Sequence, residues 1–207
     1  MSSEVVIGID AGAGRANQRR RTRAAIVEAC GSLIGGGGEV TMPDVARQAL
    51  VSEATAYRYF PDLVSLLTEA VAGIWPGATD ALAPVASSSD PVVRVAFACE
   101  ALLRHVVSVQ GAVRAMIAAT VAQPHAASLR PGHRIELINQ ALAPMEDTLG
   151  VSDPERFAQL KLDLAVVISA DALFTLTDLC GLAADDAIAS AVQTASTLTT
   201  AALAAAA

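Results

Sequence analysis

The chain has 207 residues, of which 53% are hydrophobic and 17% are charged, and its formal net charge is −7. This much apolar surface excludes an intrinsically disordered chain, and the acidic balance argues against a protein that coats nucleic acid along its whole length. Only 3% of the residues are aromatic, and runs of β-branched residues are scarce after the first ten positions, which favours helix over sheet. We therefore predict an all-α protein.

Targeting and membrane signals are not expected. The first residues lack the basic start and apolar core of a signal peptide, so a cytoplasmic location is predicted. Residues 187–207 are uncharged and long enough to span a bilayer, but Ala, Ser and Thr dominate them, and too few large apolar side chains remain to favour insertion. Cys30, Cys99 and Cys180 form no C-x-x-C pair, so buried, reduced thiols are predicted.

Residues 1–18 are interpreted as a flexible extension. Within them, the segment from Ile7 to Gly14 resembles the phosphate-binding strand and turn of sugar kinases and related ATPases, in which an Asp and a Gly-rich backbone approach a nucleotide. This resemblance gives the alternative function, a nucleotide-binding protein that uses the Gly-rich N-terminal segment. Such folds need several further strands, and the sequence downstream predicts none.

Three helices are predicted between residues 19 and 62, from the helical spacing of apolar residues and from capping signals. Thr41 and Ser52 are the candidate N-caps of the second and third helices, since a hydroxyl there accepts a hydrogen bond from the first turn. Pro61 stops the third helix. The three helices are predicted to run from about Arg19–Arg23 to Ile34, from Met42 to Ala49 and from Glu53 to Phe60.

Six more helices are predicted after residue 62, which makes about nine in total. Asp62 is a candidate cap of the fourth, a Leu-rich helix that ends around Trp75. Asp90 and Asp153, each followed by Pro, begin two others. The helix that begins at Pro154 is long and is predicted to end at Gly181. The other predicted helices lie at about 113–121 and at about 133–149, and the last begins at Asp185 or Asp186.

Positive charge is concentrated in the segment from Arg15 to Phe60, which we call the head; the residues from Pro61 onward are the body. From Arg15 to Phe60 seven Arg face four acids, whereas from Pro61 onward seven basic residues face fifteen acids. A basic head on an acidic body focuses attraction for phosphates on one end of the molecule. Two short helices joined by a three- or four-residue turn, after a basic segment, form the helix-turn-helix pattern, whose second helix enters the major groove.

This region resembles the DNA-binding domain of the TetR family of transcriptional repressors. The similarity runs from about Arg21 to Val71 and is carried by T-M-P-D-V-A-R-Q-A-L-V-S-E-A-T-A-Y-R-Y-F-P-D-L-V-S-L-L. It combines a capped second helix, a Val-Ser turn, a Thr before an aromatic pair, and a Phe followed by a Leu-rich helix. The chain departs from the family pattern at Leu50, where the family usually has Gly, and at Leu63, where it usually has Lys.

The resemblance implies roles for residues of the head. Thr41 and Ser52 cap their helices, Tyr59 binds phosphate, and Arg58 is the candidate base reader. The arginines that precede the first helix are candidates for contacts to phosphates or the minor groove. The predicted DNA-binding residues are Thr41, Ser52, Glu53, Ala54, Thr55, Tyr57, Arg58, Tyr59, Arg19, Arg20, Arg21 and Arg23.

For the body, the resemblance implies a ligand cavity and a dimer interface formed by the last two helices. The apolar stripe from Phe157 to Ile168 and the small residues from Ala187 onward fit such an interface. Candidate ligand-binding residues, chosen as apolar or amphipathic side chains of this region, are Trp75, Phe97, His105, Met116, His125 and Phe174.

Three segments are therefore predicted: a flexible extension (1–18), a helix-turn-helix DNA-binding domain (19–62) and a helical ligand-binding and dimerisation domain (63–207). The expected function is a ligand-responsive repressor that binds a palindromic operator as a homodimer. Catalysis is not expected, because three scattered histidines and isolated acids supply no triad, metal-ligand spacing or carboxylate pair. No cofactor or metal is expected either.

Overall fold

The computed structural model describes residues 10–36, 40–122 and 132–204, and this part of the chain is helical with no strand. The all-α prediction is confirmed. The described residues form twelve α-helices rather than the expected nine: α1 (Asp10–Gly35), α2 (Met42–Gln48), α3 (Glu53–Tyr59), α4 (Leu63–Ile74), α5 (Ala78–Ala81), α6 (Pro91–Ser108), α7 (Gln110–Ala122), α8 (His133–Ala141), α9 (Leu149–Ser152), α10 (Pro154–Val167), α11 (Ala170–Phe174) and α12 (Ala184–Ala204).

The chain divides into two compact units. The head unit takes the described residues of Met1–Ile74 and Arg114–Leu129, and the body unit takes those of Trp75–Val113 and Arg130–Ala207. The fourth helix, α4, thus belongs to the head unit, whereas the predicted DNA-binding domain ends at residue 62. The reason is packing, because α4 lies against α1 and buries Leu66, Leu67 and Ala70.

Helix α1 begins nine residues before the predicted start at Arg19. Residues 10–18, assigned to a flexible extension, are helical, and residues 1–9 lie outside the described part. Arg15, Ala16 and Gln18 have high helix propensity, and the helix that Ile26 and Cys30 anchor in the core propagates through them at low cost once it is nucleated. The segment Asp10–Gly14 therefore forms a helix and not the strand and turn of a phosphate-binding loop.

The body unit is built around α6. This helix packs along α12 and also contacts α8 and α11, while α10 lies against α12, α8 and α9. Asp90 caps α6 and Asp153 caps α10, because their carboxylates accept hydrogen bonds from the N–H groups of Val92 and Arg156 at 2.8 and 3.1 Å. Both predicted helix starts are confirmed.

Two helices predicted to be continuous are broken. The helix expected over 133–149 ends at Ala141 and is followed by a short 3₁₀ turn, Ala143–Met145, because Pro144 has no N–H to continue the helical bonds. The helix expected from Pro154 to Gly181 ends at Val167. Ser169 starts a new helix there, since its hydroxyl accepts from the Ala172 N–H at 3.0 Å.

The small-residue face of α12 is occupied within the chain. Ala187, Ala191 and Ala195 are buried in a helix whose main partner is α6, and small side chains allow this close approach. On α10, Phe157 and Leu164 are also buried. The stripe predicted to form a dimer interface is therefore part of the core of one body unit.

The cysteines do not share one environment. Cys30 and Cys99 are buried and free, and burial raises the pKa of each thiol to about 12, with the charge of Glu100 adding to the effect at Cys99. Cys180 is exposed, against the prediction of a buried thiol, because it lies at the end of a helical segment beside Gly181.

Among the described helices, none is both long and apolar enough to cross a membrane.

Candidate nucleic-acid interface

Helices α2 and α3 are short and are separated by residues 49–52. Each begins at a side-chain cap: the Thr41 hydroxyl accepts from the Asp44 N–H at 3.3 Å, and the Ser52 hydroxyl accepts from the Thr55 N–H at 3.2 Å. Both hydroxyl caps are therefore present as the sequence predicts. The two helices pack on each other, and α2 packs on α1.

The turn between α2 and α3 contains a Schellman motif. The Val51 N–H donates to the Ala46 carbonyl at 3.0 Å, and the Leu50 N–H donates to the Arg47 carbonyl at 3.2 Å. This motif needs a left-handed backbone at Leu50, whose φ is +55°. Leucine pays a steric cost there that glycine does not. The departure from the TetR pattern at Leu50 thus leaves the turn formed and strains it.

Helix α3 has one buried side and one exposed side. Ala56 and the C-cap residue Phe60 are buried, whereas Thr55 and Tyr59 are half-buried. The residues Glu53, Ala54, Tyr57 and Arg58 are exposed and fall at helical spacing on one side, which we call the α3 face. The α3 face presents a phenol and a guanidinium to solvent, the groups that donate hydrogen bonds to phosphates and base edges.

Arg23 of α1 fixes the C-terminal end of α3. Its guanidinium donates to the Tyr59 carbonyl at 3.1 Å, lies over the Phe60 ring at 4.2 Å from the centroid, and pairs with the Glu69 carboxylate of α4. Arg23 is among the predicted DNA contacts, and its side chain is 44% exposed while it keeps three partners within the head unit. These contacts hold α3 against α1 and α4.

A polar network surrounds the N-terminus of α2. Thr41 donates its hydroxyl proton to the Asp44 carboxylate, and Arg47 donates to the same carboxylate at 2.7 Å. These hydrogen bonds, the one from Thr41 first, lower the pKa of Asp44. An ionised carboxylate beside Thr41 repels a phosphate, so this end of α2 is less suited to DNA contact than the α3 face.

The other predicted arginines lie on the N-terminal part of α1. Arg19, Arg20 and Arg21 are exposed, and so is Arg15. Arg15 is not among the predicted DNA contacts, because residues 1–18 were interpreted as a flexible extension. Arg20 donates to the Asn17 side chain at 3.1 Å. The absence of any acid between Asp10 and Glu28 is the sequence signal that could have identified Arg15.

In the body unit, Trp75 and two histidines form an aromatic cluster. His105 meets the indole edge-on, with ring centroids 4.4 Å apart, and His133 stacks on it at 5.8 Å. Burial, followed by the charge of His133, lowers the pKa of His105. In the described structure, Trp75 Nε1 and the Nε2 atoms of both histidines are buried without a hydrogen-bond partner. Such atoms are the groups that a bound molecule or a water can satisfy.

The remaining candidate ligand-binding residues are dispersed. Phe97 and Phe174 are half-buried in the body unit. Met116 is buried and belongs to the head unit, and His125 lies outside the described residues. Of the predicted set, the structure brings together Trp75 and His105, and it adds His133, which sequence spacing gave no reason to select.

Comparison of the chain with profiles of protein families, with curated proteins and with solved structures found no match.

Proposed function

We propose that the protein is a DNA-binding transcription regulator that places α3 in the major groove of an operator. The observation that carries this proposal is the α3 face, which presents Tyr57 and Arg58 to solvent while Ala56 and Phe60 hold the other side of the helix in the head core. A guanidinium can donate two parallel hydrogen bonds to a guanine, and a phenol can donate to a phosphate.

The charge distribution supports the same proposal. Seven Arg against four acids from Arg15 to Phe60 attract phosphates, and fifteen acids against seven basic residues from Pro61 onward are repelled by them. DNA is therefore attracted to the Arg-rich segment and not to the remainder of the chain. The sequence resemblance to the TetR family, from about Arg21 to Val71, favours this function over the alternative of nucleotide binding.

As part of the proposal, the protein acts as a homodimeric repressor on a palindromic operator, since two copies of α3 would read two half-sites. The support is an apolar surface that the described residues leave exposed. On α10, Leu162 and Val166 are 63% and 72% exposed and lie one turn apart. Two exposed apolar residues at this spacing fit a helix-to-helix contact with a second copy.

We also propose that a small molecule controls DNA binding from the body unit, at the cluster of Trp75, His105 and His133. Three ring nitrogen atoms of this cluster are buried without a hydrogen-bond partner among the described residues. A ligand that forms hydrogen bonds with them would stabilise one conformation of the body unit over another. A ligand that prefers the conformation with lower operator affinity would release the repressor.

Selection from random-sequence duplexes tests the DNA-binding proposal directly. The purified full-length chain is incubated with a library of 30-base-pair duplexes, bound DNA is recovered over several rounds, and the enriched sequences are compared. We expect an enriched inverted repeat that the protein protects in a footprint. Recovery of no sequence above the starting library would contradict the proposal.

Arg58→Ala then tests how α3 reads the enriched sequence. Removal of a bidentate contact should weaken binding to that duplex by about 1–3 kcal/mol and relax selection at one base pair of each half-site. Binding to an unselected duplex should fall much less. Arg104→Ala, which removes an exposed arginine of the body unit, is the matched control and should leave both affinities unchanged. Equal losses on both duplexes for Arg58→Ala would make Arg58 a phosphate contact.

A further inference from the structure

The N-terminal turns of α1 extend beyond the part of the helix that packs in the head. Residues 14–21 are all exposed, and Thr22 and Arg23 are the first positions of α1 that become half-buried. Four of the eight exposed residues are arginines, Arg15, Arg19, Arg20 and Arg21. We call residues 14–21 the arginine extension.

The arginine extension starts next to the recognition helix. Arg23 contacts the Tyr59 carbonyl and the Phe60 ring at the C-terminal end of α3. Arg19 and Arg20 lie four and three residues before Arg23, hence one helical turn further out on the same side of α1. Arg19 and Arg20 therefore lie one turn beyond the residue that contacts the C-terminal end of α3.

These charges are not neutralised within the part of the chain that the structure describes. None of its ion pairs involves the four arginines, and no acid lies between Asp10 and Glu28. Arg15 and Arg19 are four residues apart on one side of the helix, a spacing at which like charges destabilise a helix. A polyanion would remove this repulsion.

Resting on the proposed function, we propose that the arginine extension is a rigid helical clamp that binds the phosphates of the DNA backbone beside the α3 site. At a rise of about 1.5 Å per residue, Arg15 and Arg21 are about 9 Å apart along the helix axis. This length spans roughly two to three phosphates of one strand, given about 3.4 Å of duplex axis per phosphate. The clamp adds affinity without sequence preference.

Its helical form decides which part of DNA it contacts. An α-helix with side chains is about 10–12 Å across, whereas the minor groove is about 6 Å wide. The extension therefore lies on the backbone and does not enter the minor groove, the alternative open for a flexible arm. A lipid surface fits less well, since the exposed residues Ala16, Asn17 and Gln18 supply no large apolar side chain for insertion.

Replacement of all four arginines by glutamine tests the clamp, because Gln and Arg have similar helix propensity. We expect helix content to stay constant and the slope of log affinity against log salt to become shallower by about 2 to 3 per head, the change for two to three lost phosphate contacts. Affinity for the selected duplex and for an unselected duplex of equal length should fall by the same factor, roughly tenfold or more at 0.1 M salt. An unchanged salt slope would overturn the clamp.

The matched control for net charge removes two positive charges from the body unit, Arg104→Gln with Lys161→Gln, and is compared with Arg15→Gln with Arg19→Gln. We expect only the pair in the arginine extension to change the salt slope. An equal effect of both pairs would assign the loss to net charge and overturn the clamp.

A second variant tests rigidity while keeping every charge. Thr22→Pro should start the packed part of α1 at residue 22, where proline is tolerated as a first helical residue, and detach residues 10–21 from it. We expect weaker DNA binding than for Thr22→Ala, which keeps the helix continuous. Equal affinities of the two variants would show that a flexible tail suffices and would overturn the rigid clamp.

The outcomes separate this inference from the proposed function. If the wild-type chain selects a duplex and the four-glutamine variant binds it as tightly, the clamp fails and the regulator proposal stands. If the wild-type chain binds no duplex, both fail. Arginine-dependent binding to vesicles of equimolar phosphatidylcholine and phosphatidylglycerol, without such dependence on DNA, would assign the extension to a membrane surface and overturn the clamp.

Discussion

Single residues determine how the turn between α2 and α3 is held. Leu50 adopts the left-handed conformation that a Schellman motif requires, at φ +55°, and its side chain is 92% exposed. Exposure means that the leucine side chain gains little from packing, while its Cβ is crowded against the backbone. The strain in this turn is therefore not offset by burial of the same residue.

We expect Leu50→Gly to stabilise the protein by about 1 kcal/mol, since relief of the left-handed strain exceeds the entropy that glycine adds to the unfolded chain. Urea denaturation followed by circular dichroism measures the change. Leu50→Ala is the control, because it removes the exposed apolar side chain and keeps the Cβ. A gain from Leu50→Ala equal to that from Leu50→Gly would show that strain is not the cause.

At the scale of elements, a buried arginine joins α6 to its neighbours. Arg94 is 7% exposed. It donates to the Gln140 and Ala141 carbonyls at 2.8 and 3.1 Å, and to the Val85 carbonyl at 3.0 Å. The first two carbonyls are the last of α8, which have no partner within the helix, and a cation at a helix C-terminus is favourable. One guanidinium thus closes α8 and secures the loop before α6.

Arg94→Lys should destabilise the body unit by about 2–4 kcal/mol, because one ammonium cannot reach both groups of carbonyls and some are left buried without a donor. The free energy of unfolding from urea titration checks this value. The comparison variant is Arg104→Lys, at an exposed arginine that pairs with Glu100 and Asp185, and it should show no measurable change. Similar stabilities for the two variants would contradict the assigned role of Arg94.

At the scale of the whole molecule, the question is which surface of the body remains for a second copy. The face of α12 that contains Ala191 and Ala195 is buried within the chain, so it cannot also form a dimer contact. Within the part of the chain that the structure describes, the apolar side chains of Leu162 and Val166 on α10 are exposed. We therefore place the proposed dimer interface on the exposed side of α10 and not on the small-residue face of α12.

Two glutamate substitutions separate these surfaces. Val166→Glu should convert a dimer to a monomer in sedimentation at micromolar concentration with its helix content unchanged, because the charge would be buried only in the assembly. Ala195→Glu should unfold the body unit, since Ala195 is fully buried in the isolated chain and the site holds neither the volume nor a partner for a carboxylate. If the Ala195→Glu variant is folded and monomeric, the dimer interface is the small-residue face of α12.

The helical class and many helix starts could be predicted from local sequence patterns. Thr41, Ser52, Asp90 and Asp153 cap the helices that were predicted to begin beside them. Capping depends on residues three or four positions apart, so it can be read from a short window. The two-sided character of α3, with Ala56 buried, is also a local pattern.

Which of these surfaces stay exposed depends on how the helices pack against one another. In the sequence Arg23 is one of a run of cations, whereas in the structure it also contacts Tyr59, Phe60 and Glu69. The small residues of α12 were predicted to form a dimer interface, whereas in the structure α6 packs against this face. Both outcomes depend on partners dozens of residues away, and a local pattern shows that a face is apolar or charged without showing what packs against it.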